Sequence, residues 1–179
     1  LFMTGGATSQ NHLVPMNFMP EGGSADYAVT GKWAQDSIKT CEHFGTARLA
    51  YSSKESGHNH VPRQEQLDLD PGAAYFHYTS NNTIVGTQYD YVPETPGDVP
   101  LVCDASSDIF SAPIDVTKFA LIYAGAQKNI GPAGTTLVIV RKDLLGRSGR
   151  TLPGMLSYKT FAEKQSRPNT PPVFPIYVV

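Results

Sequence analysis

Two cysteines are all this 179-residue chain has, Cys41 and Cys103, and they stand far apart with no metal-ligand spacing between them. That excludes a disulfide-built domain and fits reduced thiols in a cytoplasmic protein. No apolar run reaches the roughly 18 residues of a membrane-crossing helix, so no membrane span is expected. Net charge is only −2, which offers no general attraction to nucleic acid or to an anionic membrane. There is no internal repeat and no low-complexity tract. The chain also lacks both the GxGxxG and the GxxxxGK-Ser/Thr phosphate loops, so a nucleotide-binding domain has no support. With 40% hydrophobic and 10% aromatic residues there is enough apolar material for one sizeable core.

Along the chain, apolar segments alternate with helical or looping ones, the pattern of a layered α/β domain with a mostly parallel or mixed sheet. Strands are expected at Leu1–Thr4, Ala25–Val29, Ala73–Tyr78, Gln88–Val92, Pro100–Asp104 and at the two flanks Leu121–Tyr123 and Leu137–Val140. Ala34–Phe44 reads as a helix. Gln10–Met19 reads as helix first and strand after, broken near Pro15. Thr46–His60 is polar and reads as a solvated loop, its His58-Asn59-His60 trio resembling a metal site only superficially. Arg141–Arg150 reads as a solvated helix or turn, Thr151–Gln165 as irregular and partly helical, and Ser166–Pro172 as a rigid turn. The ends, an opening Leu1-Phe2-Met3 and a closing apolar run Phe174–Val179, read as a segment of a longer chain.

The chemistry gathers in LIYAGAQKNIGPAGTTLVIV, Leu121–Val140. Two buried strands bracket a loop of small residues that carries Lys128. An amine held in a partly desolvated pocket can act as a nucleophile toward carbonyls; a plain turn lysine is the bland alternative. Asp104 closes the strand PLVCD 24 residues earlier, one strand-to-strand excursion away. Ligand groups collect at the carboxyl ends of strands in α/β folds. A lysine and a carboxylate at adjacent strand ends are what pyridoxal phosphate requires, the lysine for the imine and the carboxylate for the ring nitrogen. Gly5-Gly6-Ala7-Thr8-Ser9 suits a helix start that takes a phosphate, or any helix entry. Trp33 fills core or stacks on a planar ring. Thr83 bonds a ring oxygen or closes a turn. Small or polar residues thus recur near Ala7, Thr83, Asp104 and Lys128.

On ADYAVTGKW (Ala25–Trp33), NNTIVGTQ (Asn81–Gln88), CDASSDIFSAPIDVTKF (Cys103–Phe119), LIYAGAQKNIGPAGTTLVIVRKDLLG (Leu121–Gly146) and NTPPVFPIY (Asn169–Tyr177), the sequence closely resembles the phosphoserine aminotransferases, class-V aminotransferases of pyridoxal-phosphate fold type I. The resemblance implies a three-layer α/β/α large domain. It also implies that residues 1–179 form an incomplete cofactor domain, with an N-terminal segment and a C-terminal small domain outside it. It makes Lys128 the Schiff-base lysine, Asp104 the partner of the pyridine nitrogen, Trp33 the stacked ring and Thr83 the contact to the phenolic oxygen. Gln127, Ala7 and Thr8 become phosphate contacts. Asn169 and Thr170 become the pair that reaches the cofactor of the other subunit of a homodimer. The implied reaction moves an amino group between phosphoserine or glutamate and a keto acid such as 2-oxoglutarate. Asn82 stands where the family often has glutamate, and the substrate-holding arginines and histidine fall outside these residues. Another fold-type-I transaminase, and a chain that binds cofactor without turnover, are the competing readings.

Overall fold

The computed structural model describes residues 1–179. In chain order its elements are β1 (Phe2–Thr4), α1 (Gln10–Phe18), β2 (Ser24–Val29), α2 (Lys32–Cys41), β3 (Thr46–Ser52), β4 (Phe76–Thr79), β5 (Asn81–Asn82), β6 (Thr87–Gln88), β7 (Leu101–Asp104), β8 (Leu121–Gly125), β9 (Thr135–Val140), α3 (Tyr158–Glu163) and α4 (Val173–Val178). Seven strands form one sheet in the order β1-β9-β8-β7-β4-β2-β3, and β5 and β6 form a small separate ribbon. The pairings β3-β2, β2-β4, β4-β7 and β7-β8 are parallel, while β9 runs antiparallel to both β8 and β1. The carboxyl ends of β1, β8, β7, β4 and β2 therefore share one edge, which gathers the loops that follow them.

Strand alternation sends residues to two cores. Tyr27, Tyr75, Val102, Leu121 and Tyr123 pack on one face with Leu13, Val14, Phe18 and Phe161 from the helices. Phe76, Tyr78, Cys103, Ile122 and Ala124 pack on the other face with Tyr89, Val99, Ile109 and Phe119. The fold is the mixed, mostly parallel α/β sheet expected. Its second face is covered in this chain by irregular segments and short 3-10 turns between residues 53 and 119.

Several local expectations need correcting. Helix α1 runs through Pro15 with no switch to strand. An internal proline costs about 3 kcal/mol, but Leu13, Val14 and Phe18 are each at most 5% exposed, and burying one such side chain contributes about 1.5–3 kcal/mol. The polar stretch Thr46–His60 contains a true strand, β3, paired in parallel with β2. It is an edge strand, so most of its side chains stay at least partly exposed and only Ala50 is buried, which hides the apolar signal. Gln88–Val92 forms no strand beyond Gln88; instead Asn81–Asn82 and Thr87–Gln88 make a tight ribbon. The closing apolar run coils into α4.

Candidate active site

The shared strand edge carries a cleft lined by Ala7, Thr8, Asn11, Trp33, Thr79, Asn81, Asp104, Ser106, Ser107, Gln127 and Lys128. Residues as far as 121 positions apart in sequence, Ala7 and Lys128, meet there because β1, β2, β4, β7 and β8 all end at it.

Asp104 ends β7 and is buried. Its Oδ1 accepts from the Ser106 amide at 3.0 Å and the Ser106 hydroxyl at 2.6 Å. The same hydroxyl accepts from Gly125 N–H at 3.1 Å, tying the ends of β7 and β8 together. Burial pushes the Asp104 carboxyl above its usual range; the Ser106 bonds, the Lys128 charge and the Tyr123 hydroxyl oppose that rise. No side chain of this structure donates to Oδ2, so one oxygen of a desolvated carboxylate is left for a cationic N–H.

Lys128 sits in the loop between β8 and β9. That loop is pinned by Ala126 N–H to Thr135 O, Gly131 N–H to Ala126 O and the Asn129 amide to Ile109 O. Lys128 Nζ donates to Thr83 Oγ1 at 2.6 Å and lies 5.9 Å from the centroid of Trp33. The lysine is exposed, which corrects the expectation of a partly desolvated amine: its setting is set by the hydroxyl and the indole face. Thr83 in turn contacts Ser107 Oγ at 2.9 Å, and Ser107 donates to Asn81 Oδ1 at 3.2 Å. Its side chain therefore serves the lysine and not a local turn. Asn82 anchors the ribbon below it, donating to Thr30 Oγ1 at 3.0 Å and Thr87 Oγ1 at 3.2 Å.

Trp33 lies in the first turn of α2 and is 40% exposed, so it is a wall of the cleft and not core filling. Gly6 precedes a turn Ala7–Ser9 that runs straight into α1, leaving the leading amides without helical acceptors. Gly125 allows the close approach here: a Cβ on it would come within 2.6 Å of Gln127 Oε1 and 3.0 Å of the Ala7 amide nitrogen. A buried Thr79 Oγ1, also in the cleft wall, has no partner. An open carboxylate oxygen, an orphaned hydroxyl, free helix-start amides and an amine over an indole fit a flat, anionic, carbonyl-bearing ligand.

Ala7, Thr8, Trp33, Asp104, Gln127 and Lys128 thus line one cleft, and Thr83 joins them through Lys128. Asn169 and Thr170 do not: both are exposed, and Asn169 contacts Thr4 Oγ1 at 3.5 Å. Asn11, Thr79, Asn81, Ser106 and Ser107 were missed as site residues. Thr79, Asn81, Ser106 and Ser107 lie within four residues of the polar strand-end positions Thr83 and Asp104; Asn11, inside a helix, left no signal. The two histidines of Thr46–His60 bond locally, His58 to Ser53 and Gln35, His60 to Tyr51.

A model of the class-V aminotransferases matches residues 1–179, and the chain belongs to that family. Among named relatives, the phosphoserine aminotransferase of Flavobacterium psychrophilum is 54% identical over 177 residues, covering 99% of this chain and 49% of the relative. That of Azotobacter vinelandii is 53% identical over 178 residues, with the same coverage. The solved phosphoserine aminotransferase from Bacillus circulans subsp. alkalophilus superposes with a TM-score of 0.95 at 48% identity, covering 99% of this chain and 49% of that one. A pyridoxal-phosphate-bound phosphoserine aminotransferase from Trichomonas vaginalis gives 0.89 at 36% identity, covering 99% and 53%. The chain spans about half the length of the curated relatives it matches.

Proposed function

We propose that this chain carries the cofactor site of a phosphoserine aminotransferase, which converts O-phospho-L-serine and 2-oxoglutarate reversibly into 3-phosphooxypyruvate and L-glutamate in serine biosynthesis. The observation that carries the reading is the meeting of Lys128 and Asp104 in one cleft, with Trp33 beside the amine. When bound, pyridoxal phosphate supplies an aldehyde that takes up the amino group and a protonated ring that draws electrons from the substrate α-carbon.

The chain's own residues do the rest. Lys128 Nζ would be the amine that holds the cofactor's aldehyde, and the same Nζ would serve as the base for the substrate α-proton and as the acid that returns it. Asp104, fixed on one oxygen by Ser106, would hold the ring nitrogen in its N–H form. Trp33 would stack on the ring, Thr83 would bond the ring oxygen, and Ala7, Thr8 and Gln127 would hold the phosphate.

The same reading makes residues 1–179 most of the large domain of a homodimer. Asn169 and Thr170, exposed and away from their own cleft, would then reach the partner's cofactor. A cytoplasmic setting belongs to it, supported by two free, buried cysteines. No helix is long and apolar enough to cross a membrane.

The test is a spectrum of the purified protein with added pyridoxal phosphate, followed by single amino donors. A visible band that glutamate and phosphoserine bleach, and alanine and serine do not, supports the assignment. Bleaching by alanine or serine alone would point to another transaminase of the same fold. A band that no donor bleaches would leave binding without turnover.

A further inference from the structure

Lys128 lies between two groups that come from distant segments: the Trp33 indole, at the start of α2, and the Thr83 hydroxyl, in the turn between β5 and β6. One buried side chain joins those segments. Asn82 is 2% exposed, and Thr30, three residues before Trp33, is fully buried. Asn82 Nδ2 donates to Thr30 Oγ1 at 3.0 Å and to Thr87 Oγ1, on β6, at 3.2 Å. Its backbone carbonyl accepts from the Val85 and Gly86 amides at 3.2 and 2.9 Å, which closes the turn that carries Thr83.

Gly31 shows how closely the two segments meet. Its φ of −179° is extended backbone that any residue adopts, so conformation does not call for glycine there. Space does: a Cβ on Gly31 would come within 2.5 Å of Asn82 Oδ1 and 3.0 Å of Asn82 Cγ. Gly31 is also the N-cap of α2, and its carbonyl accepts the Gln35 amide at 3.1 Å, opening the helical turn that holds Trp33. The Asn82 carboxamide thus bonds the residue before Gly31 and packs on Gly31 itself. Its Oδ1 is buried without a hydrogen-bond partner, so the two bonds from Nδ2 and this close packing fix where the side chain sits.

We propose that Asn82 is a positioning residue that sets the width of the cleft: its buried carboxamide ties the start of α2 to the β5–β6 ribbon, so that the Trp33 indole and the Lys128–Thr83 pair keep the spacing that the ring of pyridoxal phosphate needs. The inference rests on reading the cleft as that cofactor's site.

The chain has a single tryptophan, so tryptophan emission reads Trp33 alone. The experiment measures acrylamide quenching of that emission in the cofactor-free protein, then titrates pyridoxal phosphate and follows the visible band. In Thr30→Val, which keeps the shape and removes the hydroxyl, acrylamide quenching rises and Kd for pyridoxal phosphate rises roughly fivefold, the size of one neutral hydrogen bond. Asn82→Ala moves both readouts the same way. Thr87→Val, which cuts only the bond within the ribbon, leaves the quenching of Trp33 as it was. Unmoved quenching in Thr30→Val overturns the proposal, and so do equal changes in Thr30→Val and Thr87→Val, because the loosening would then be general. Should Thr30→Val not fold, Asn82→Ala decides by the same quenching: a rise supports the tie, and none overturns it. Failure of the cofactor reading looks different, because the unsubstituted protein would then show no visible band, while the quenching of the cofactor-free variants would still judge the tie between Asn82 and Trp33.

Discussion

Asp26 and Asp104 are buried carboxylates on strands of one sheet, and both are pushed above the usual carboxylate range by burial. Their surroundings differ in one respect. Asp26 is saturated: Oδ1 accepts from Arg48 Nη1 at 2.6 Å and Oδ2 from the Asp70 amide at 2.6 Å. Arg48 also lies 3.6 Å from both Asp68 and Asp70. Asp104 spends one oxygen on Ser106 and keeps the other turned to a cleft. A carboxylate satisfied on both oxygens holds a fold together, here by clasping edge strand β3 to β2. A carboxylate satisfied on one is poised to hold something else.

Substitutions sharpen that contrast. Asp104→Ala is expected to lower turnover roughly 10²–10³-fold, the cost of removing a preorganised charge, while thermal stability holds or rises. Steady-state kinetics and a melting curve check both halves, and a variant that melts early with turnover intact would erase the distinction. Arg48→Ala should do the reverse. It leaves Asp26 buried with only its amide donor, at a cost of about 3 kcal/mol in urea unfolding, with the cofactor spectrum unchanged.

A pH series separates open from satisfied charge more finely. Because folding raises the Asp104 pKa above its ordinary 3.8, the native state binds that proton more tightly than the unfolded chain. Its favourable contribution is therefore present below the unfolded value and is lost as pH rises through the folded one. Asp104→Asn does not titrate. Its stability relative to the cofactor-free parent should be smallest below about pH 3 and grow with pH until the folded-state pKa is passed; a gap that narrows with rising pH would contradict the buried-charge assignment. Smallest of all, Thr83→Ala removes one exposed hydroxyl from Lys128 and should cost about 1 kcal/mol in turnover. A loss equal to that of Asp104→Ala would mean that the lysine's partner weighs as much as the carboxylate proposed for the ring nitrogen.

Much of the cleft was legible because its chemistry sits at strand ends. The spacing of Asp104 and Lys128 anticipated two adjacent parallel strands, and β7 and β8 are those strands. Trp33 fell at a helix start, where it lines the cleft. Side-chain networks escaped. Nothing in the order of residues says that the Ser106 hydroxyl turns back to Asp104, that the Thr79 hydroxyl stays unpaired, or that Asn82 reaches Thr30, since each depends on sheet register. Strand β3 escaped for a related reason: an edge strand buries one residue in seven, and its hold on the sheet comes from Arg48 and a buried aspartate. The exposure of Lys128 was also invisible, because burial of a loop residue is decided by what packs around the loop.

Borohydride reduction of the protein saturated with pyridoxal phosphate, followed by peptide mass mapping, tests the central claim most directly. The account predicts one pyridoxyl adduct, on Lys128, and none in Lys128→Ala. An adduct on another lysine, or a visible band that survives in Lys128→Ala and is still reducible, would contradict it.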